Sequence, residues 1–388
     1  MEDAMYYANG VVEELKNSSQ LVIFGAGLVG YEVVNCLLTG PYQLSIDFIM
    51  VSHQENNPDQ IMGIPVIDLA SAKHLVQFDA TILVATMEKH LESICKNLER
   101  NNYFHIIPLT FESDLWSLLQ GNYYREMQLS SQKNYLTLEE EVQQVHSKKK
   151  QAEEKNKTEK KSIHIYTVKS HVDRKLTEDL SGYFWEIPIQ AGAALTKEKL
   201  CEVRDNQGEH ISYKNKQYCE LTALYWIWKN DHADYAGLCH YRRHFELSEK
   251  IIENLDETDI DVILTIPILN FPSVKKVYQY DHVGRDWEVM MEAIQQLAPN
   301  YLDTAKKMQD GNFYYGYNMF IARKTILNEY CAWLFPILQY CEEHCKAKKD
   351  NYQGRYIGFL AERLMGIYFL HHEVSYKIVH GRKHFVKR

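Results

Sequence analysis

The sequence predicts an α/β protein of two domains, and two observations support this prediction. Short apolar runs alternate with helix-length stretches over the first hundred or so residues, which is typical of a parallel doubly wound sheet. A second series opens with a strand-like run at 163–168, after a segment rich in Glu, Gln, Lys and Asn that cannot bury a core. The pattern therefore divides the chain into a first domain at 1–125, a charged linker at 126–161 and a second domain at 162–388.

Composition narrows the classes of protein that fit. The 388 residues are 45% hydrophobic and 24% charged, with a net charge of -9, so the chain lacks the basic balance that nucleic-acid binding needs. No run approaches the roughly 18 apolar residues of a membrane span, and the N-terminus lacks the features of a secretory signal. Eight Cys without a repeated CxxC spacing fit free thiols in a reducing compartment. We therefore expect a cytoplasmic protein that binds no nucleic acid.

Five apolar runs define the strands expected in the first domain. They cover 21–24, 44–51, 63–67, 80–85 and 105–109. The first run ends in a Gly-x-Gly-x-x-Gly pattern formed by Gly25, Gly27 and Gly30, just before a helical pattern. In a Rossmann-like domain such a loop brings backbone N–H groups and the helix dipole to a bound pyrophosphate.

The dinucleotide fingerprint at this loop is incomplete. It requires an acidic residue at the end of the second strand, where the ribose hydroxyls bind. That position holds Val51-Ser52-His53, and Asp47 lies too early in the run. The three glycines therefore either bind a nucleotide cofactor or only allow a tight turn and close helix packing. An NAD-dependent enzyme is the less favoured outcome.

Four blocks of sequence distinguish the second domain, at 187–212, 215–230, 235–245 and 316–321, with 331–335 and 358–364 following the last. Together they resemble a family once catalogued as a domain of unknown function, which occurs in glycosyltransferases of capsule and exopolysaccharide biosynthesis. The similarity covers residues 162–380. Its most distinctive parts are ELTALYWIWKN at 220–230 and GLCHYRR at 237–243.

The resemblance implies a GT-A-like fold with an α/β sheet that binds a nucleotide sugar. It implies transfer of a hexosyl unit, galactosyl or galactofuranosyl in some relatives, from a donor that we expect to be a UDP-sugar to a lipid-linked saccharide. Such a protein works on the cytoplasmic side, with peripheral contact at the inner face of the plasma membrane. The basic tail 377–388 either supplies that contact with anionic lipid or is a solvated terminus.

Glycosyl transfer from a nucleotide diphosphate sugar expels a diphosphate, whose charge a metal ion or basic side chains must stabilise. The Asp-x-Asp at Asp259 and Asp261 precedes an apolar strand instead of following one, so we interpret it as a polar turn. By contrast, the strand 235–239 leads into His240-Tyr-Arg242-Arg243, and alternation along a strand would place His240 and Arg242 on one face.

Our hypothesis is that Arg242 and Arg243 take the role of the metal, because an Arg fork binds phosphate oxygens in a bidentate way. The alternative is that one Arg pairs with a structural carboxylate such as Glu220. No metal ligand is assigned, and metal dependence is left open.

Four further polar residues are predicted to bind the donor or to have local structural roles. Asp205 and Asn206 precede Gly208 in a turn, where they either contact the nucleotide or form an Asx turn. Glu220, early in a helix, and His240 are predicted to face the donor, although an acid in the first turn also stabilises a helix without another function.

An inverting transfer needs a base that takes the proton of the acceptor hydroxyl. Asp281 or His282 is predicted to supply it, the alternative being that Asp281 caps a helix and pairs with Arg285. Tyr315, Tyr317 and Asn318 suit a sugar-binding site of aromatic faces and an amide, or they belong to the core.

Two other functions fit parts of the sequence. One is an NAD(P)-dependent enzyme that modifies sugar nucleotides through the first domain, which the missing acid after the second strand argues against. The other is a non-catalytic scaffold that binds a nucleotide sugar without turnover. Release of nucleoside diphosphate, reduction of NAD, or binding without product would separate the three.

Overall fold

The computed structural model describes residues 2–149, 161–177, 185–255 and 258–386. The chain forms two compact units, residues 1–134 and 135–388. Both units contain a sheet with helices between the strands, so the predicted α/β class is confirmed.

The first unit contains a six-stranded sheet and five helices. Its elements are α1 (Glu2–Lys16), β1 (Leu21–Phe24), α2 (Leu28–Leu38), β2 (Phe48–Val51), β3 (Gln60–Ile61), β4 (Ile64–Asp68), α3 (Leu69–Leu75), β5 (Thr81–Thr86), α4 (Glu88–Arg100), β6 (Ile106–Thr110) and α5 (Asp114–Ser130). The strand order is β3-β4-β2-β1-β5-β6, and only the β3–β4 pair is antiparallel. The central strands are buried on both faces, as their unbroken apolar sequences predict.

The glycine-rich loop lies between β1 and α2, beside the point where the strand order reverses between β1 and β5. Gly25 has φ +127, and a Cβ there would overlap the carbonyl of Ala85. A Cβ at Gly30 would overlap the carbonyl of Gly25, whereas one at Gly27 would meet nothing within 4 Å. Tight turning and close packing therefore account for Gly25 and Gly30 without a ligand. Nucleotide binding at this loop stays a prediction.

The second unit is larger and contains the blocks that carry the resemblance. Its helices are α6 (Leu138–Lys149), α7 (Asn215–Tyr218), α8 (Leu221–Asn230), α9 (Glu249–Asn254), α10 (Val274–Asp281), α11 (Gly284–Leu297), α12 (Leu302–Asp310), α13 (Lys324–His344) and α14 (Tyr356–His371). Its strands are β7 (Ile163–Lys169), β8 (Glu186–Gln190), β9 (Val203–Arg204), β10 (Tyr235–His240), β11 (Arg243–Phe245), β12 (Val262–Thr265), β13 (Ile268–Leu269), β14 (Phe313–Tyr314), β15 (Phe320–Arg323), β16 (Ile378–Gly381) and β17 (Lys383–Phe385).

The main sheet of this unit has the order β16-β12-β15-β10-β7-β8-β9, with β11 joined to β10 and β17 joined to β11. Strands β10, β7, β8 and β9 are parallel to their neighbours in that series, whereas β15 runs antiparallel to both β10 and β12. The parallel half therefore brings the carboxyl ends of β7, β8 and β10 to one edge of the sheet. In open α/β sheets this edge is where ligands bind.

Helices α11, α13 and α14 pack together and hold large buried rings such as Trp287 and Tyr330. The distinctive block 220–230 contributes α8, whose Trp228 ring stacks on Phe335 of α13 at 5.6 Å. The aliphatic positions of that block are buried, as their helical spacing indicates, and its three aromatic rings are half-buried against the core.

The unit boundary differs from the predicted limits of the linker. The segment predicted as a linker includes the end of α5 and all of α6. Leu138 and Val142, four residues apart on one face of α6, are buried in the core of the second unit. The second unit therefore starts at Tyr135 and not at residue 162. Residues 150–160, with most of the lysine-rich run, lie outside the described residues.

The described part of the basic tail, up to residue 386, contributes two strands to the sheet, and its basic side chains are paired or buried. Lys377 forms ion pairs with Glu141 and Asp259, and Arg382 pairs with Glu246 at 3.0 Å. Lys383 lies in β17 and is buried. The structure therefore does not support the predicted contact of these three side chains with lipid, while residues 387 and 388 lie outside the described part. Within the described ranges, no helix combines the length and the apolar character that crossing a membrane requires.

Candidate active site

A cleft of ≈ 750 Å³ lies at the carboxyl edge of the parallel strands in the second unit. Its walls come from the loops that follow β7 and β8, from the α7–α8 junction, from the β10–β11 turn and from the segment before α14. Its cationic lining consists of Lys169, Arg174, Lys216, Arg242, Arg243 and Arg355. Its carboxylates are Asp173 and Glu220. The lining is therefore rich in positive charge, as a site for a phosphate-bearing ligand should be.

The GLCHYRR block forms a hairpin at the edge of this cleft. β10 ends at His240, β11 begins at Arg243, and these two residues are directly opposite each other in the antiparallel pair. Tyr241 and Arg242 form the two-residue turn between them. The alternation predicted for an uninterrupted strand is therefore wrong here, because a tight hairpin places the two flanking residues on the same face. All four residues nevertheless line the cleft.

The two arginines of this hairpin differ in their surroundings. The guanidinium of Arg243 lies 4.6 Å from the ring centre of Tyr317 and 5.6 Å from that of Phe385. Arg242 is 3% exposed, and its carbonyl accepts a hydrogen bond from the backbone of Val386. The two rings lie close to the guanidinium of Arg243 and help to orient it, because aromatic faces attract the cation.

A backbone carbonyl fixes the ring of His240 through a hydrogen bond. Its Nε2 lies 2.6 Å from the carbonyl oxygen of Tyr317. Burial lowers the pKa of His240 to about 3, with the charge of Arg243 acting in the same direction. Tyr317 has φ +69, and its backbone N–H donates to Glu362 at 2.9 Å. The side chain of Glu362 therefore supports the position of His240 through the backbone of a single residue, Tyr317.

Glu220 is fixed in a similar way from the neighbouring residue of the same loop. The amide nitrogen of Asn318 donates to Glu220 at 2.7 Å and to the carbonyl of Gly358 at 3.3 Å. Asn318 is fully buried with φ +50, and Cys219 before Glu220 also has φ +50. Left-handed backbone at non-glycine residues is costly and often occurs at functional sites. Two strained loops are thus joined at the carboxylate that faces the cleft.

The predicted sugar-binding residues have supporting positions. Tyr315 is buried, and its hydroxyl forms a 2.9 Å hydrogen bond with His380, so the core alternative holds for this ring. Tyr317 and Asn318 are buried as well and act on the cleft through His240 and Glu220. These three residues are a correction to the expectation of direct sugar contact.

Asp205 and Asn206 are a second correction. Asp205 is fully buried and accepts hydrogen bonds from the backbone of Gly192 at 2.8 Å, from that of Ala193 at 3.0 Å and from the hydroxyl of Ser212 at 2.5 Å. Asn206 lies in the adjacent turn and does not line the cleft. Asp205 orders the loop after β8, since its oxygens are already occupied by the protein.

Asp281 and His282 are a third correction, because neither lines the cleft. The ring of His282 stacks on Phe359 at 4.1 Å and faces Tyr352 at 5.9 Å. Burial, followed by the charge of Arg363, lowers the pKa of His282 to about 3. Burial raises the pKa of Asp281. Tyr352, whose ring faces that of His282, does line the cleft.

The capping alternative for Asp281 is also incorrect. Asp281 is the last residue of α10, and the helix that starts at Gly284, α11, has Val283 at its N-cap without a side-chain hydrogen bond. Arg285 pairs with Glu292 at 2.9 Å.

Three residues of the site were missed in the sequence. Asp173 follows β7 and accepts a 2.7 Å hydrogen bond from the backbone of Ser170, and burial raises the pKa of its carboxyl to about 6. Arg355 donates to the sulfur of Cys219 at 3.1 Å. Glu362 is the third, and burial raises its pKa. The position of Asp173 at the carboxyl end of a predicted parallel strand was the one available signal.

Two acidic clusters bear on metal binding. Glu186, Cys239 and His244 have ligand atoms within 4.8 Å of one another. Both carboxylate oxygens of Glu186 already lie 2.8 and 2.9 Å from Nδ1 of His244, so the group is satisfied as a buried hydrogen-bonded cluster. Asp261 pairs with Arg323 at 2.8 Å and Asp259 with Lys377, as expected of a polar turn. Neither cluster lines the cleft.

Comparisons with known proteins agree with this architecture. A family described as a domain of unknown function, DUF4422, matches residues 164–373. The chain is similar to the apo structure of the bifunctional glycosyltransferase WbbM, with 28% sequence identity and a TM-score of 0.52. The similarity covers 58% of this chain and 46% of the WbbM chain, so it spans about half of that protein. No curated protein sequence gave a significant match.

The mixed sheet and its similarity to a glycosyltransferase confirm the GT-A-like α/β fold of the second unit. With a family match over more than half of its residues, the chain belongs to the DUF4422 family.

Proposed function

We propose that the second unit is a glycosyltransferase that moves a hexosyl unit from a UDP-sugar to a saccharide acceptor. The observation that supports this most directly is the cation-rich cleft at the carboxyl edge of the sheet. The similarity to WbbM, a glycosyltransferase, supports the same class of reaction.

The cleft offers a way to stabilise the departing diphosphate. As the bond between the anomeric carbon and the diphosphate oxygen breaks, negative charge grows on that oxygen. Arg242 and Arg243 present positive charge beside the end of β10, and the guanidinium of Arg355 lines the same cleft. Fixed guanidinium groups lower the energy of this charge because they need not reorganise during the reaction.

The acceptor hydroxyl must lose a proton as it attacks. The carboxylates that line the cleft, Asp173 and Glu220, replace Asp281 and His282 as the groups proposed to take it. Asp173 has a pKa of about 6, close to the value at which a general base works well near neutral pH. Glu220 is the more firmly positioned of the two, because Asn318 holds it at 2.7 Å.

The wider role is proposed from the sequence blocks alone. Their resemblance to enzymes of capsule and exopolysaccharide biosynthesis supports a lipid-linked saccharide as acceptor and galactose or galactofuranose as the transferred sugar. It also supports a cytoplasmic location next to the membrane.

A donor panel tests the proposal. Purified protein is incubated with UDP-galactose, UDP-galactofuranose, UDP-glucose and their GDP counterparts, with a pool of saccharide acceptors, and released nucleoside diphosphate is measured. We expect release from at least one UDP-sugar, at the same rate with and without EDTA. Binding of a UDP-sugar without release under any condition would favour the scaffold, and reduction of NAD would favour the oxidoreductase. Loss of all release in EDTA would contradict the role given to the arginines.

A further inference from the structure

His240 differs from the other basic residues around the cleft, because its bonding fixes its tautomer. Its Nε2 lies 2.6 Å from the carbonyl oxygen of Tyr317, and a carbonyl oxygen only accepts hydrogen bonds. Nε2 therefore carries the hydrogen. In the neutral ring Nδ1 then has an unprotonated lone pair. Among the described residues, no side chain or backbone group donates to that Nδ1.

The surroundings of His240 keep the ring neutral. Burial disfavours a positive charge on the imidazole, and the charges of Arg243, Arg355 and Arg242 lower its pKa further. The carboxylate of Glu362 binds the backbone N–H of Tyr317 and pairs with Arg363. His240 therefore places a neutral hydrogen-bond acceptor next to the cationic side chains of Arg242 and Arg243.

We propose that Nδ1 of His240 accepts a hydrogen bond from a hydroxyl group of the donor hexose. This inference rests on the proposed function, and it adds which part of the donor His240 binds. An ionised diphosphate ester offers only acceptor oxygens, so its lone pairs would face the lone pair of Nδ1 without a hydrogen between them. The group that sits against His240 must bring its own hydrogen. In a nucleotide sugar held by Arg242 and Arg243, the hexose is the part joined directly to the phosphate and is rich in such groups.

Neighbouring residues of one hairpin then bind two different parts of the donor. The arginines bind the phosphate, and His240 accepts a hydrogen bond from the adjacent sugar. His240 is accordingly a positioning and specificity residue, and the proton of the acceptor hydroxyl goes elsewhere, to one of the cleft carboxylates. The sequence predicts His240 among the donor-binding residues, as part of a positive strand end. The structure supports donor binding with the opposite hydrogen-bonding sense.

The tautomer is measured directly by long-range ¹H–¹⁵N correlation NMR of the ¹⁵N-histidine-labelled full chain, with His240→Phe used to assign the signal. We expect the Nε2–H neutral form at neutral pH. An imidazolium, or the Nδ1–H form, overturns the proposal without any ligand being involved.

The recognition step is measured by titration calorimetry with UDP and UDP-galactose as probes. Replacing His240 by Phe should weaken UDP-galactose roughly 3- to 10-fold, as expected for one lost hydrogen bond, and leave UDP unchanged. His240→Gln keeps an amide donor for Tyr317 and an acceptor oxygen, so it should restore part of the difference.

The outcomes separate the two proposals. Failure of the wild-type chain to bind either probe counts against the proposed function itself. Binding of both probes with equal losses in the Phe variant, or with no loss, leaves the proposed function intact and refutes the role of His240.

Discussion

Replacing Arg243 by Gln isolates the contribution of one guanidinium to transfer. Arg243 lines the cleft and makes contacts with the rings of Tyr317 and Phe385. Gln keeps a polar, though shorter, side chain and removes the positive charge. If the charge stabilises the departing diphosphate, the variant should fold and bind UDP more weakly while losing most of its turnover.

The size of the effect follows from the environment of the side chain. Two unit charges about 4 Å apart interact by about 4 kcal/mol at an effective dielectric constant of about 20. Losing one preorganised donor to a developing anion typically costs about 10²- to 10³-fold in kcat. The two ring contacts, at 4.6 and 5.6 Å, contribute only about 0.5–1 kcal/mol each to folding. The loss of turnover should therefore greatly exceed the loss of stability.

The assay compares kcat for UDP release with the denaturation midpoint in the same preparations. Arg243→Lys, which keeps the charge but not the fork, should lose less than the Gln variant. Arg323→Gln is the matched control, because Arg323 also lies over an aromatic ring, that of Tyr235 at 5.2 Å, yet pairs with Asp261 outside the cleft. Turnover of Arg243→Gln within a few-fold of the control would refute the reasoning.

Three further predictions concern stability. Asp173→Asn should stabilise the fold above pH 6, because burial raises the pKa of the wild-type carboxyl to about 6 and its ionisation opposes folding there. Measured as a higher urea midpoint than that of the wild type, this gain in stability should disappear below pH 3.8, the ordinary pKa of the group. Asn318→Ala should lower the free energy of unfolding by roughly 2–4 kcal/mol, because it removes the hydrogen bond to the carboxylate of Glu220 and puts alanine at φ +50. Asn318→Gly should lower it less, since glycine tolerates that φ; equal losses by chemical denaturation would contradict this. Gly237→Ala should lower the thermal midpoint of the second unit, because its Cβ would lie 2.6 Å from Cα of Ile321; an unchanged midpoint would argue against that packing.

Much of the fold could be predicted from local sequence. The apolar runs at 21–24 and 80–85 are unbroken because both faces of a parallel sheet are covered, and both became central strands. The position of the cleft could be predicted too, since Arg242 and Arg243 follow an apolar strand whose carboxyl end faces it. The start of the second unit could not, because α6 contributes only two buried apolar residues amid a charged segment.

At the site, the sequence does not show which partners a polar side chain has or which distant segments meet. A sequence shows that Asp205 is polar but not that three protein donors already occupy its oxygens. Likewise it shows an Asn at 318 but not the left-handed backbone that turns its amide inward to Glu220. Arg355 reaches the cleft from a segment distant in the chain, and only the folded arrangement brings it beside Cys219.

A crystal structure with bound UDP tests the central claim most directly. We predict that its phosphate oxygens lie within hydrogen-bonding distance of the guanidinium groups of Arg242 and Arg243, at the carboxyl end of β10. Phosphates found away from this hairpin, or coordinated by an ion that carboxylates hold, would contradict it.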